Sequence, residues 1–173
     1  MSTTTIEDTL DDIHRRIDRL DALAQAGAPR IRPHLDALHQ EEAAVRAAVG
    51  KAPDEVEKKL GRLKTRLAVA EHSLAADLSD DWGAFAAAVE AELRVWDAYL
   101  ERLQAGVVEK AWKAREQAEA AIGDVRGRRI AVGERLAQAR DSDGAASQEA
   151  RRSITAARDE LEQKAAELSA KLN

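Results

Sequence analysis

The sequence predicts an all-α fold: an elongated antiparallel helical bundle or coiled coil of about four to six helices, with no β-sheet. Apolar residues recur with a 4, 3, 4, 3 spacing, which keeps one face of a helix against a partner helix. Charged residues make up 34% of the chain and alanine about a fifth, a composition typical of long helices. No segment alternates as a strand does. We therefore expect residues 1–173 to form a single helical domain.

Charge and cysteine content narrow the range of functions. The formal net charge is −5, which argues against a nucleic-acid-binding protein, because such proteins neutralise phosphates with clustered positive charge. The chain has no cysteine, which excludes disulfides and thiolate metal ligands. There is no run of about 18 apolar residues, and the residues after Met1 are polar. We expect neither a membrane-spanning helix nor a signal peptide, and we expect a cytoplasmic location.

Glycine and proline divide the first half of the chain into three predicted helices, over about residues 5–26, 30–49 and 53–78. Thr4 and Glu7 fit a capping box at the start of the first helix. Gly27 and Gly50, each followed closely by a proline, end the first two helices. The third helix carries an uninterrupted apolar stripe of Val56, Leu60, Leu63, Leu67, Ala70 and Leu74.

The second half is predicted to contain two helices, over about residues 80–140 and 145–172. The polar turn at residues 79–81 precedes the first of them. Its apolar stripe consists of Trp82, Ala86, Val89, Leu93, Trp96, Leu100, Leu103 and Val107. The stripe keeps its phase through Gly106, and no proline or turn cluster follows before Asp141. We therefore expect this helix to continue to Arg140.

Two architectures fit these helices. In the first, a helix over residues 29–78, kinked near Pro53, lies antiparallel to the helix over residues 80–140 and the terminal helices pack at one end. In the second, Gly50 and Gly106 are true turns and the chain forms two three-helix bundles. The unbroken phase through Gly106 favours the first architecture.

Glu42 occupies a position in the apolar stripe of the second predicted helix. We favour a slight rotation of the helix that turns Ala43 or Ala44 inward instead. The alternative is a buried acid that sets the register of helix packing. A single carboxylate is not an active site. His14 and His39 each follow an aspartate by one turn but are expected to face solvent, so neither a metal site nor a cofactor is predicted.

All five aromatic residues lie between residues 82 and 112. Packing in the core is the favoured role, because bulky rings fill a core otherwise made of alanine and leucine. The alternative is an aromatic patch that binds a partner, with Trp82, Phe85 and Tyr99 as anchors. Tyr99 lies beside the apolar stripe and is expected to be partly exposed.

Residues 105–140 form the only basic region, with eight basic and five acidic residues. Arg126, Arg128 and Arg129 are its candidates for binding an anion. Acidic residues are interleaved with these arginines, and no aromatic set for stacking bases accompanies them, so a solvated face is the favoured role.

The patterns together favour a non-catalytic scaffold or protein-interaction protein that acts through its bundle surfaces. Its expected partner is another protein, with a second copy in a homodimer as one case, because an amphipathic helix must bury its apolar stripe. No small-molecule substrate or nucleic acid is expected. The alternative is reversible binding of amphipathic helices to an anionic membrane surface.

Overall fold

The computed structural model describes residues 3–108 and 111–172, which form six α-helices with no β-strand among them. In chain order the helices are α1 (Thr3–Gly27), α2 (Arg32–Ala48), α3 (Pro53–Asp77), α4 (Trp82–Val107), α5 (Trp112–Gln138) and α6 (Gly144–Leu172). A 3₁₀ turn at Pro29–Ile31 joins α1 to α2. The predicted all-α helical bundle is confirmed.

Local sequence explains several of the helix ends. Gly50 has a φ of +78°, a left-handed conformation that favours glycine, and it turns the chain between α2 and α3. Pro53 is the first residue of α3, where an amide hydrogen would have no helical acceptor. The carboxylate of Asp81 accepts a hydrogen bond of 2.9 Å from the backbone amide of Ala84 and so caps α4.

The prediction of a single helix over residues 80–140 is wrong. Helix α4 ends at Val107 and α5 begins at Trp112, while residues 109 and 110 lie outside the described ranges. Gly106, considered as a turn, lies inside α4, one residue before its end. The apolar stripe ends where α4 ends, so its unbroken phase described α4 correctly but gave no support for extending the helix beyond Val107.

The six helices build two apolar cores. The first core belongs to α1, α2 and α3, with Ile17 and Leu67 fully buried. The second belongs to α4, α5 and α6, with Trp96 and Ile154 fully buried. Helix α3 also contributes Val69 to the second core, because α3 and α4 pack together more extensively than any other pair of described helices. Neither expected architecture holds as a whole. The two cores are a feature of the second, whereas the close packing of α3 on α4 is the antiparallel pair of the first; α4 ends at Val107, and Gly106 is not a turn. We call α1–α3 and α4–α6 the two three-helix groups.

Candidate functional site

Charged side chains are buried where the two three-helix groups meet. We use the name buried ion cluster for four of these charged side chains and one histidine: Arg66 of α3, Glu92 of α4, Arg158 and Glu162 of α6, and His34 of α2. Each is less than a tenth exposed. Because a buried charge is costly unless it is paired, the partners of these groups show how the two halves are joined.

Arg158 crosses from the second three-helix group to the first. Its Nε donates to Oε2 of Glu92 at 2.9 Å, and its Nη1 donates to Oδ1 of Asp77 at 3.1 Å. Its Nη2 donates to the side-chain and main-chain oxygens of Ser73 at 2.8 Å and 3.1 Å. Arg30 also donates to Oδ1 of Asp77, at 2.5 Å. The guanidinium of Arg158 therefore ties α3, α4 and α6 together.

Arg66 forms the second half of the cluster. It donates through Nη2 to Glu162, and its guanidinium lies 4.7 Å from the centroid of the Trp96 ring. Burial is the largest single influence on the pKa of Glu162 and works to raise it, but the surrounding groups, Arg66 first among them, together outweigh burial and hold that pKa below its usual value. Nδ1 of His34 is 3.0 Å from Glu162. Burial lowers the pKa of His34 from 6.5 to about 3, and the charges of Arg66 and Arg158 act in the same direction, so the imidazole is neutral at pH 7.

Tyr99 and Glu41 pair at one end of the same interface. The Tyr99 hydroxyl donates to Oε1 of Glu41 at 2.7 Å. Burial raises the pKa of both groups, so Tyr99 keeps the proton that it donates. Beside the pair lies a cavity of about 20 Å³ that also borders Ser169, large enough for about one water molecule. Such a cavity is too small for an organic substrate.

The contacts of the buried ion cluster indicate a structural role. Its charges pair across the two three-helix groups, and removing one partner of such a pair leaves an uncompensated buried charge. Within residues 3–108 and 111–172, no three His, Asp or Glu side chains are placed to hold a metal ion.

An open groove of about 530 Å³ lies between α4 and α5, on the side of the second core. We call it the α4–α5 groove. Its walls carry Trp82, Gly83, Ala86, Ala87, Glu90, Leu93 and Arg94 from α4, and Arg129, Gly133, Leu136, Ala137 and Arg140 from α5. The volume falls within the range of about 300–1,000 Å³ that is usual for ligand sites. We call its four charged lining residues, Glu90, Arg94, Arg129 and Arg140, the rim, and its apolar and mostly small lining residues the floor.

The first two positions of the α4 stripe, Trp82 and Ala86, line this groove and are only partly buried. The sequence predicts that the stripe faces another helix, and from Val89 onward it is buried in the second core. The start of the stripe therefore has apolar surface that the chain itself does not cover fully, and this surface is continuous with the groove.

The structure separates the three aromatic candidates. Trp82 lines the α4–α5 groove, with its ring centroid 5.7 Å from that of Phe85. Phe85 is buried, and the guanidinium of Arg151 lies 4.6 Å from its ring centroid. Tyr99 is 1% exposed, so the partial exposure expected for it is wrong. It lies inward because it packs edge-on against Trp96 at 5.9 Å. Of the three, Trp82 is available to a partner.

The three arginine candidates also have different surroundings. Arg129 lines the α4–α5 groove, and its Nη2 donates to Asp97 at 2.7 Å. Arg128 points to α6, where it donates to Glu160 at 2.5 Å. Arg126 is exposed and makes no ion pair with any residue that the structure describes. The structure thus brings Trp82 and Arg129, two candidates from separate patterns, to one groove.

Glu42 is buried while Ala43 is exposed, so the favoured rotation of the helix is wrong. The carboxylate accepts a hydrogen bond of 2.9 Å from Nε of Arg46 and lies 3.2 Å from Nδ1 of His14 in α1. The hydrogen bond to Glu42 raises the pKa of His14. Glu42 therefore ties α1 to α2, and its role in setting the register stays a prediction.

Sequence reasoning missed Arg94, Leu136 and Arg140 of the groove. A signal existed: the groove residues of α4 and those of α5 each recur every three or four residues, beside the stripe that fills the core. A second stripe of small residues flanked by arginines marks a second helix face. Nothing in the local spacing, however, shows that the α4 and α5 faces lie side by side.

Fold and groove together define a class: a helical bundle of two three-helix groups, joined by buried ions, with an open groove on one group. Comparison of the chain with protein-family models, curated proteins and solved structures finds no match. Across the described ranges, no helix combines the length and the apolar character needed to cross a membrane.

Proposed function

We propose that the chain is a non-catalytic, cytoplasmic scaffold or interaction protein that holds a helix of a protein partner in the α4–α5 groove. The observation that carries this proposal is the groove itself, an apolar depression of about 530 Å³ that begins where the α4 stripe is left partly uncovered. A helix that lays its apolar face into a groove is a recurrent mode of protein recognition.

The residues of the groove suit this mode. Ala86, Ala87 and Gly133 project little from α4 and α5, so the backbone of a third helix can approach closely. Trp82 supplies a large apolar anchor at one end, and tryptophan is among the residues that carry most binding energy at protein interfaces. A docked helix would pack on α4 and α5 as a further member of the bundle.

The test is site-specific photo-crosslinking in cells of the source organism. A photoreactive amino acid replaces Ala87 in the groove or, as a matched control on an exposed face of the same helix, Ala105. We expect a defined crosslinked product from position 87 alone, whose purified partner then binds the chain and binds Ala87→Gln more weakly than Ala105→Gln. Equal crosslinking at both positions, or none at position 87, would refute a partner in the groove.

Membrane-surface binding is the second candidate, supported by two exposed apolar side chains near the α4–α5 connection. Val108 is 57% exposed and Trp112 is 76% exposed. Exposed tryptophan is suited to the membrane interface. Flotation with anionic vesicles at low salt tests this candidate, with Trp112→Ala as the variant. Absence of co-flotation, or equal co-flotation of the variant, would contradict it.

A further inference from the structure

We propose that the occupant of the α4–α5 groove is an acidic amphipathic helix of another protein. This proposal rests on the proposed function and adds the chemistry of the partner. It is argued from the charges at the rim, from the small residues of the floor, and from the way that this chain uses its own apolar stripes.

The rim of the groove is basic although the chain as a whole is acidic. Arg94, Arg129 and Arg140 line it against one acidic residue, Glu90, a net charge of +2 that the ion pair of Arg129 with Asp97 reduces to +1. The chain as a whole carries −5. Charges further apart than about 8 Å are largely screened at physiological ionic strength, so the rim rather than the net charge sets the local preference. That preference is for carboxylates.

Arg129 is held by its ion pair with Asp97, but Arg94 and Arg140 are free to exchange partners. Arg94 donates to Glu90 of its own helix at 2.7 Å, and both side chains are more than half exposed. Exposed pairs of this type contribute little to stability, so a partner's carboxylate can replace Glu90 at small cost. Arg140 is exposed and makes no side-chain hydrogen bond or ion pair with the residues described here. The guanidinium groups of Arg94 and Arg140 are therefore available to bind carboxylates of a docked helix.

A second copy of this chain does not suit the groove. An occupant must bring an apolar stripe that is free to dock, and the helices of this chain bury theirs in the two internal cores. The exposed large apolar side chains of the described residues are scattered over the chain and do not form a stripe along one helix: Leu23, Leu78, Val108, Trp112 and Ile130. The free stripe must come from another protein, and arginines at the rim select one flanked by Glu or Asp.

The experiment uses three designed helical peptides with leucines at positions i, i+3, i+4 and i+7. Their remaining positions carry mainly Glu, mainly Gln or mainly Lys. Binding to the full chain is measured by fluorescence anisotropy at two salt concentrations. We expect the Glu peptide to bind about tenfold more tightly than the Lys peptide, with the difference shrinking at high salt. Light scattering of the free chain is expected to give a monomer.

Charge reversal tests the named residues. The double variant Arg94→Glu, Arg140→Glu should reverse the order, so that the Lys peptide binds most tightly. The control Arg126→Glu, Arg152→Glu changes the net charge equally at exposed arginines that do not line the groove, and it should keep the wild-type order. All four substitutions lie on exposed surface, and circular dichroism confirms that each variant is folded.

Several results would overturn the acidic occupant. If all three peptides bind equally and Ala87→Gln weakens each, the groove binds helices but does not select charge, so the proposed function survives alone. If none of the three peptides binds, the acidic helix is rejected. Crosslinking at position 87 then tests the proposed function separately. If the chain is a dimer that Ala87→Gln dissociates, the occupant is a second copy.

Discussion

Removing the Arg66 side-chain charge tests the interface between the two three-helix groups. Arg66 is 1% exposed and donates to Glu162, which is also buried. In Arg66→Met the carboxylate loses this partner, and neutral His34 cannot replace the charge. Breaking a buried ion pair from one side typically costs 3–5 kcal/mol, so we expect a loss of about 3 kcal/mol in the free energy of unfolding at pH 7.

A double-mutant cycle separates the ion pair from simple loss of packing. The variant Arg66→Met, Glu162→Met removes both charges, and we expect it to be more stable than either single variant by about 2 kcal/mol. Arg16→Met is the matched control, because Arg16 donates to Glu71 at 2.7 Å on a partly exposed surface. That pair should contribute less than about 1 kcal/mol.

Urea denaturation followed by circular dichroism supplies the free energies of unfolding, and unchanged slopes show that the variants unfold in the same way. The near-ultraviolet signal of Trp96, on which Arg66 stacks, reports whether the interface is native. If Arg66→Met costs no more than Arg16→Met, or if the double variant is as unstable as the sum of the single ones, the buried pair does not exist as described.

Three further predictions concern pH and glycine. His34 has a pKa near 3 in the fold and 6.5 when exposed, so below pH 6.5 the unfolded state binds the proton that the folded state refuses. As the pH is lowered from 6.5 towards 3, the free energy of unfolding measured in urea should therefore fall by about 1.4 kcal/mol per pH unit more in the wild type than in His34→Gln. Equal slopes would contradict this. Gly50→Ala should cost about 1 kcal/mol, because φ is +78°. Gly123→Ala, in open space within α5, should add about 0.5–1 kcal/mol; thermal unfolding measures both, and the opposite signs would contradict the backbone assignment.

The parts of the fold that depend on one helix at a time could be predicted from the sequence. The apolar stripe from Val56 to Leu74 is buried throughout, and the turns after Gly27 and Gly50 are where glycine and proline place them. The spacing of apolar residues and the positions of glycine and proline are local properties of the sequence. They therefore define a helix before its neighbours are known. The end of α4 at Val107 has no proline beside it, and its one local signal, Gly106, was outweighed by the unbroken phase of the stripe.

The buried ion cluster could not be predicted, because its pairs lie far apart in the chain. Arg66 precedes the stripe residue Leu67, and Glu162 follows the stripe residue Leu161. In the pattern of a single helix, a charged residue at such a position indicates the edge of a solvent-exposed face. The burial of Arg66 and Glu162 follows only from the packing of α3 on α4 and of α6 on α2, which brings the two side chains together across the two groups. The groove illustrates the same limit, since Trp82 and Arg129 were both recognised but nothing in the sequence placed them together.

The claim that the α4–α5 groove is the binding surface is tested most directly by nuclear magnetic resonance. The chain has three tryptophans: Trp82 in the groove, Trp96 in the core and Trp112 on the surface. Their three indole N–H signals are followed while the tightest-binding designed peptide is added. The account predicts that the Trp82 signal shifts and that those of Trp96 and Trp112 stay in place. A shift confined to Trp112, or binding that leaves Trp82 unchanged, would show that the partner docks elsewhere.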